Sequence, residues 1–240
     1  KFCVWGGPEY QKIDVFPFDR VKEELNYIAE MVSKTKKTNI LCIANANFGI
    51  LDHDIEYAKI IRQLFEETGY PRKFSNFWAK NKGGMVIKIA EILGGELTSV
   101  DASLQSMNPE TLKAIKRDNI SQDDYKMFLR YLNKMGVDSD AEMIMGMPEE
   151  TLESYFNAQV ELFKEDAGQI VNYHCRILKG AEMSDPKDIK EYDVKTKFRL
   201  IDTQYGEYKF GDDKFIAIES EEMVKSNKTM SEDDLFYLRD

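Results

Sequence analysis

Amide, hydroxyl and charged side chains recur at the ends of five short apolar runs in this 240-residue chain. Groups of this kind donate and accept several hydrogen bonds at once, which suits an uncharged or zwitterionic ligand. In chain order they are Asn45, Asn47 and Gly49, then Trp78 and Lys80, then Ser103, Gln105 and Ser106, then residues 142–148, and last His174 and Arg176.

Signatures of common hydrolytic and nucleotide-binding sites are absent from the sequence. It has no Gly-x-Ser-x-Gly, no Walker A loop, no His-Glu-x-x-His and no Gly-x-Gly-x-x-Gly. Of its 2 histidines, His53 falls at a predicted helix start and is interpreted as a surface residue. Of its 3 cysteines, Cys42 and Cys175 lie in apolar runs typical of buried strands, whereas Cys3 precedes two glycines on a predicted loop. Nothing here predicts a nucleophile with its base.

The elements that must position these groups alternate regularly. Helical spacing of apolar residues begins at Phe18, and further helices are predicted after Asp52, around Met85–Leu93, after Asn108, after Ser121 and from Pro148 to about Lys164. Strands are predicted over 39–45, 73–79, 98–104, 140–146 and 169–177. This alternation predicts consecutive βαβ units and a parallel sheet, either doubly wound or barrel-like.

The strand faces favour a barrel. Polar residues alternate with apolar ones over 98–105, 140–145 and 170–177, whereas strands between two helix layers are normally apolar on both faces. The polar faces therefore predict a cavity such as the lumen of an open barrel, with Gln105 and Arg176 pointing inward and Leu104 and Ile177 packed against helices. The competing interpretation is that these are solvated edge strands. In a barrel, ligand groups gather at the carboxyl ends of the strands.

Six segments, in their order and spacing, resemble the radical SAM enzymes, in the subgroup that often carries a cobalamin-binding domain. Phe2 and Cys3 resemble the end of a Cys-x3-Cys-x-aromatic-Cys cluster loop, whose other two cysteines would precede residue 1. The remaining matches are Asn45–Gly49, Trp78–Asn81, Ser103–Asn108 and Glu142–Thr151, together with Tyr173–Gly180. One departure is Glu149, where the family commonly has glycine after the proline.

The resemblance implies a partial (β/α)6 barrel over residues 1–180, with its first strand missing, and an α+β extension over 181–240. It implies reductive cleavage of S-adenosylmethionine at a 4Fe-4S cluster to a 5′-deoxyadenosyl radical, with cobalamin-dependent methyl transfer as one outcome. Cys3 would then ligate iron. The cofactor-binding residues would be Phe2, Asn45, Asn47, Ser103, Gln105, Ile144, Gly146 and Arg176.

Partners and location follow from composition and from the same resemblance. A formal net charge of −10 argues against a nucleic-acid partner, and no apolar run is long enough to span a bilayer. The chain is therefore expected to be cytoplasmic. Because residue 1 is Lys rather than Met, and no strand or helix precedes the first cysteine and glycines, the chain is also expected to be an internal piece of a longer gene product. The resemblance implies a small-molecule or peptide substrate and an external one-electron donor of the flavodoxin or ferredoxin kind.

Two alternatives stay open on the residues alone. One is a cluster-free barrel lyase or hydrolase that uses Glu142, His174 and Lys80 for acid–base chemistry. The other is a non-catalytic binding domain, in which the polar strand ends have no catalytic role.

Overall fold

A computed structural model describes residue 3 and residues 14–35, 38–80, 82–117 and 121–239. Phe2, to which the resemblance gives a role, lies outside these residues. The elements are α1 (Phe18–Thr35), β1 (Ile40–Cys42), α2 (His53–Thr68), β2 (Lys73–Ser75), α3 (Gly83–Leu93), β3 (Val100–Gln105), α4 (Pro109–Ala114), α5 (Gln122–Lys134), β4 (Ser139–Met145), α6 (Leu152–Lys164), β5 (Gln169–His174), α7 (Pro186–Glu191), β6 (Lys195–Phe210), β7 (Asp213–Ser226) and α8 (Glu232–Arg239).

The strands β1 to β5 form two parallel sheets, as the alternation predicts. β1 pairs with β2, and Ile40 lies opposite Lys73. β3, β4 and β5 form a second sheet in that order, with Val100 opposite Ser139 and Met145 opposite His174. The α/β class with parallel strands is therefore confirmed.

The two sheets meet along a seam of single hydrogen bonds rather than a continuous ladder. The Phe74 amide donates to the Leu97 carbonyl at 2.7 Å, and Trp78 Nε1 donates to the Ser99 carbonyl at 2.9 Å. Trp78 is buried and packs edge-on against Phe48. Both acceptors lie just before β3, so the seam joins β2 and the residues after it to the amino end of β3.

Apolar side chains on the outer faces of the sheets pack against the helices. In β4, the buried residues Ala141, Met143 and Met145 alternate with partly exposed Asp140, Glu142 and Ile144. Leu104 packs in the same core as Tyr125 and Leu129, as predicted for it. In the described residues, no helix is long and apolar enough to cross a membrane.

Two helix starts differ from the sequence prediction. Asp52 has φ −60° and ψ −31°, already helical, and its side chain makes no cap hydrogen bond. Helix α6 begins at Leu152 behind a Thr151 N-cap, not at Pro148, because the Glu150 carboxylate is buried in bonds from the Ser106 and Ser154 hydroxyls. The caps at Asn108 and Ser121 are as predicted.

The residues after 184, which the resemblance places in an α+β extension, contain two long strands that no sequence pattern predicted. Strands β6 and β7 form a long antiparallel ribbon whose side chains are mostly exposed. Because neither face is buried along most of its length, it lacks the alternation that signals a half-buried strand. The ribbon joins the end of β5, where the Ile177 amide donates to Glu222 O and the Val224 amide to Cys175 O. The domain division at residue 180 stays a prediction.

Glu149 has a backbone conformation that suits glycine, with φ of +60°. We expect Glu149→Gly to keep or raise the free energy of unfolding, by up to about 1 kcal/mol, because glycine reaches positive φ without the steric cost of a Cβ. Chemical denaturation measures this. Glu153→Gly, in the first turn of α6, is the matched control and should lose roughly 0.5–1 kcal/mol. Equal losses in the two variants would contradict the strain.

Candidate functional site

The loop after β1 is held in place by a buried carboxylate. Asp54 accepts hydrogen bonds from the Gly49 amide at 2.8 Å and the Leu51 amide at 3.1 Å, and only 1% of it is exposed. Within the loop, the Asn47 amide donates to Asn45 Oδ1 at 2.9 Å. Asn47 is exposed and Asn45 partly so, which leaves both side chains accessible. Sequence reasoning missed Asp54, which looks like any acidic residue in a first helical turn.

The predicted polar faces of β3 and β4 do meet. Asp101 lies opposite Asp140, and Ser103 lies opposite Glu142. The Ser103 hydroxyl donates to the Glu142 carboxylate, which also accepts a hydrogen bond from the Tyr173 hydroxyl at 3.2 Å. One carboxylate thus links all three strands of the second sheet.

The β5 face was predicted wrongly. Asn172 accepts hydrogen bonds from Tyr155 of α6 at 2.7 Å and from Gln159, and His174 bonds to the Val224 carbonyl, so both point away from Glu142. Tyr173 points toward it instead. The error arises because the outer face of β5 is covered by polar side chains and by the ribbon, so polarity does not mark its cavity side.

Two cations stand close to these carboxylates. An Arg117 guanidinium nitrogen donates to the Ser103 carbonyl at 3.0 Å. Surrounding protein atoms and then the Arg117 charge lower the pKa of Lys80, although Lys80 stays solvent accessible, and burial lowers the pKa of Arg117. The charges of Glu142 and Cys3 act in the opposite sense on both groups. Cys3, an exposed thiol, therefore lies within electrostatic reach of Lys80 and Arg117.

The lower part of the polar face is acidic. Burial, and then the neighbouring charges of Glu142 and Asp140, raise the pKa of Asp101 to about 6. Burial and Asp138 raise the pKa of Asp140, while Lys73 opposes both shifts. Carboxylates and cations therefore act on one another across the same face.

Gln105 ends β3 with a buried acceptor left unused. Its backbone has φ of +60° beside a register shift between Ser103 and Gln105. Its side chain is 5% exposed, and its Oε1 accepts no hydrogen bond within the part of the chain described. The buried Asn76, just after β2, likewise has both amide atoms without a partner there. Buried polar atoms are normally satisfied, so these atoms are suited to a ligand.

An open cavity of about 390 Å³ lies at these strand ends. Its walls come from the loops after β1 and β2 and from the segment after α4, and the lining residues are Asn47, Ile50, Ala79, Lys80, Lys82, Lys116 and Arg117. This volume is in the usual range for small-molecule sites of about 300–1,000 Å³.

The strand end of β4 is fastened from the C-terminal side. Gly146 has φ of +84°, and its carbonyl accepts from Asn227 Nδ2 at 3.1 Å. Ile144 is partly buried against the cluster that contains Met147 and Cys175. Both residues lie at the predicted strand end, with Ile144 half-buried and Gly146 buried.

Arg176 has a different partner from the one expected. Its guanidinium pairs with Glu221 of β7 at 2.9 Å and is 47% exposed. A role for Arg176 in holding a ligand carboxylate stays a prediction, and that role would compete with Glu221.

The other cysteines stand apart from this site. Cys175 is buried among Met147 and Met183, and burial raises the pKa of its thiol to about 12. Cys42 is exposed on β1, against the predicted burial. Among the described residues, no three His, Cys, Asp or Glu side chains form a metal-binding group.

Relatives in sequence are consistent with one another. No family model matches the chain. It is 28% identical over 198 residues to the cobalamin-dependent radical SAM methyltransferase TokK of Streptomyces tokunonensis, a match that covers 81% of this chain and 28% of that protein. It is 27% identical, over the same shares, to a 2-(S-pantetheinyl)-carbapenam-3-carboxylate methyltransferase of Streptantibioticus cattleyicolor. The chain therefore spans little more than a quarter of these relatives.

Solved structures agree at the level of the fold. The radical S-adenosylmethionine methyltransferase TsrM from Kitasatospora setae superposes with a TM-score of 0.54 at 13% identity, over 76% of this chain and 37% of that one. A second TsrM structure gives a TM-score of 0.53. The resemblance to radical SAM enzymes predicted from the sequence is confirmed.

The stacked carboxylates make a pH-dependent prediction. Glu142→Gln should lower the pKa of Asp101 from its value of about 6, because a neighbouring negative charge is removed. Carboxyl-carbon NMR titration measures it. Folding raises this pKa above its ordinary value, so Asp101 costs stability as pH rises from about 4 to about 6, and Glu142→Gln should lessen that loss.

The matched control is Asp138→Asn, because the charge of Asp138 raises the pKa of Asp140. It should move the Asp101 titration less than Glu142→Gln does. An unchanged Asp101 titration in Glu142→Gln would contradict the proximity of the two carboxylates.

Proposed function

We propose that this chain, which is related to the radical SAM enzymes, is the S-adenosylmethionine-cleaving part of a cobalamin-dependent methyltransferase with a small-molecule substrate. The observation that carries the proposal is 28% identity over 198 residues to a methyltransferase of that kind. The alternative of a cluster-free lyase or hydrolase has no comparable support. The strands would form a partial (β/α)6 barrel that lacks its first strand.

The described residues fit the implied ligands in three ways. S-adenosylmethionine carries a carboxylate, an ammonium and a sulfonium, and the polar face offers both cations (Lys80 and Arg117) and carboxylates (Asp101 and Glu142). Gln105 Oε1 is a buried acceptor that a ligand N–H or O–H would satisfy. Cys3 supplies a thiol of the soft kind that iron–sulfur clusters use.

The chain's own residues bind and orient in this proposal. Cys3 would hold one iron, and Asn45 and Asn47 would meet the amino group of S-adenosylmethionine. Ser103 and Gln105 would meet its ribose or carboxylate, and Ile144 and Gly146 would flank adenine. When bound, the cluster supplies the electron that breaks the carbon–sulfur bond to give methionine and a 5′-deoxyadenosyl radical, and cobalamin supplies a methyl carrier.

Two partners complete the proposal. A flavodoxin- or ferredoxin-like protein would supply the electron. The substrate would be a small molecule, since one TsrM structure holds tryptophan as substrate and the carbapenam methyltransferase acts on a small molecule. A cytoplasmic location suits an oxygen-sensitive cluster and its electron donor.

The first test uses the complete protein, reconstituted with iron and sulfide without oxygen. We expect about four iron atoms per chain and release of 5′-deoxyadenosine after reduction with S-adenosylmethionine present. Cys3→Ala should lose the iron and the visible absorbance, whereas Cys42→Ala, the matched control, should retain both. Equal loss of iron from the two variants would contradict the assignment of Cys3 as an iron ligand. Absence of 5′-deoxyadenosine from the iron-loaded protein would refute the proposed function.

The second test concerns Gln105. Gln105→Ala should weaken S-adenosylmethionine binding roughly tenfold, because one buried hydrogen bond to the ligand is lost. Isothermal titration of the reconstituted protein measures it. Gln63 is an exposed residue of α2 that bonds to Glu67, so Gln63→Ala should not change the affinity. Arg176→Ala should have the smaller effect of the two site variants, because Glu221 already holds that guanidinium. Unaltered affinity in Gln105→Ala would remove Gln105 from the site.

A further inference from the structure

A small cavity lies on the side of β5 away from Glu142, between the β6–β7 ribbon and α8. Its volume is about 100 Å³. Four lining residues are cationic, one is a carboxylate, one is a histidine and the others are apolar: Lys197, Arg199, Lys225, Arg239, Glu232, His174, Met223, Leu235 and Phe236. The chain as a whole carries a formal net charge of −10. This concentration of cations therefore runs against the general charge of the protein.

We propose that this cavity is a binding site for a phosphate group. The site is separate from the proposed S-adenosylmethionine site and does not depend on the proposed function.

The size of the cavity suits one oxyanion. A water molecule occupies about 30 Å³ of liquid, so the cavity has room on the scale of about three waters. Pockets for drug-sized ligands begin near 300 Å³. A single tetrahedral oxyanion matches this scale, and the remainder of a larger ligand would extend into solvent.

Among the described residues, two carboxylates around the cavity are each shared by two cations. Glu232 is shared by two lysines, at 2.6 Å from Lys197 Nζ and 3.3 Å from Lys225 Nζ. Glu221 is likewise shared by two arginines, at 2.5 Å from Arg199 and 2.9 Å from Arg176. Each carboxylate thus faces two cations, which leaves a positive potential that a dianion would reduce.

The donor types match a phosphate. Arg199 has a planar fork of N–H groups, of which Nε and Nη2 bond Glu221, and the two lysines are point charges. Both kinds of donor recur in phosphate sites. Phe236 holds the basic side chains near the cavity, with Lys197 Nζ 4.8 Å and the Arg239 guanidinium 5.1 Å from its ring centre. Their positions are therefore partly set before a ligand arrives.

His174 supplies a reporter inside the cavity. Its Nε2 lies 2.6 Å from the Val224 carbonyl, which assigns the proton of the neutral ring to Nε2 and leaves Nδ1 to be protonated. Burial, and then Arg199, Lys197 and Arg239, hold the pKa of His174 below its usual value. A phosphate among these cations would raise that pKa. His53, the other of the 2 histidines, lies on α2 beside Asp54 and Tyr57 and serves as an internal control.

The experiment titrates both histidines by proton NMR in the full chain, with and without inorganic phosphate at fixed ionic strength. We expect phosphate to raise the pKa of His174 in a saturable manner and to leave that of His53 unchanged. Methyl phosphate forms a second arm. Equal binding of the ester indicates a phosphate carried on a larger ligand, and exclusion of the ester indicates the free ion. Equal shifts of the two histidines, or no shift with either probe, would overturn the proposal.

Three variants are expected to change phosphate binding in three different ways. Lys197→Met removes one charge and should weaken phosphate binding roughly three- to tenfold. Glu232→Gln removes the carboxylate that competes for the lysines and should tighten binding by a similar factor. Lys59→Met removes an exposed lysine that pairs with Glu56 on α2 and should change nothing. Weaker binding in Glu232→Gln, or equal effects of Lys197→Met and Lys59→Met, would contradict a phosphate site here.

Discussion

A carboxylate withdrawn from water must receive hydrogen bonds from the protein, and the strand-end loops of this molecule are built around two of them. Glu150, fully buried, accepts from Ser106 after β3 and from Ser154 in α6, while its own carbonyl accepts from Thr229 at 2.6 Å. Asp54 does the same for the loop after β1. Neither carboxylate lines the cavity of about 390 Å³. Both set the backbone on which the accessible Asn45 and Asn47 and the buried Gln105 stand.

The polar face shows how opposite charges share a small volume. Asp101 and Asp140 lie on adjacent strands, and Lys73 is the cation that opposes their raised pKa values. Nearer the strand ends, Glu142 is satisfied by two hydroxyls, from Ser103 and Tyr173. A carboxylate bonded in this way is held in one orientation, which suits a face that meets a ligand of mixed charge.

Much of the fold could be predicted because α/β units repeat a strong local pattern. The five parallel strands and the caps at Asn108 and Ser121 follow from hydrophobic periodicity and side-chain chemistry. The ribbon β6–β7 could not be predicted this way, since most of its residues face solvent and no burial pattern marks them. The inward face of β5 was predicted wrongly for a related reason. Asn172 is polar because it accepts a hydrogen bond from Tyr155 of α6, not because it faces a cavity. Glu150 was missed because its partner Ser106 is distant in sequence, and Asp54 was missed because it looks like any acidic residue in a first helical turn.

The seam between the two sheets separates two parts of the molecule that differ in the free energy needed to open them. Within β3–β4–β5 the amides are protected by continuous ladders, whereas β2 is joined to β3 through the Phe74 amide and the Trp78 indole. Separating the sheets therefore breaks few hydrogen bonds and leaves the larger sheet intact, which is the architecture of a sub-global opening unit. Amide exchange along β1 and β2 would then follow the cost of parting this seam, and exchange in β4 would follow the cost of unfolding the whole chain.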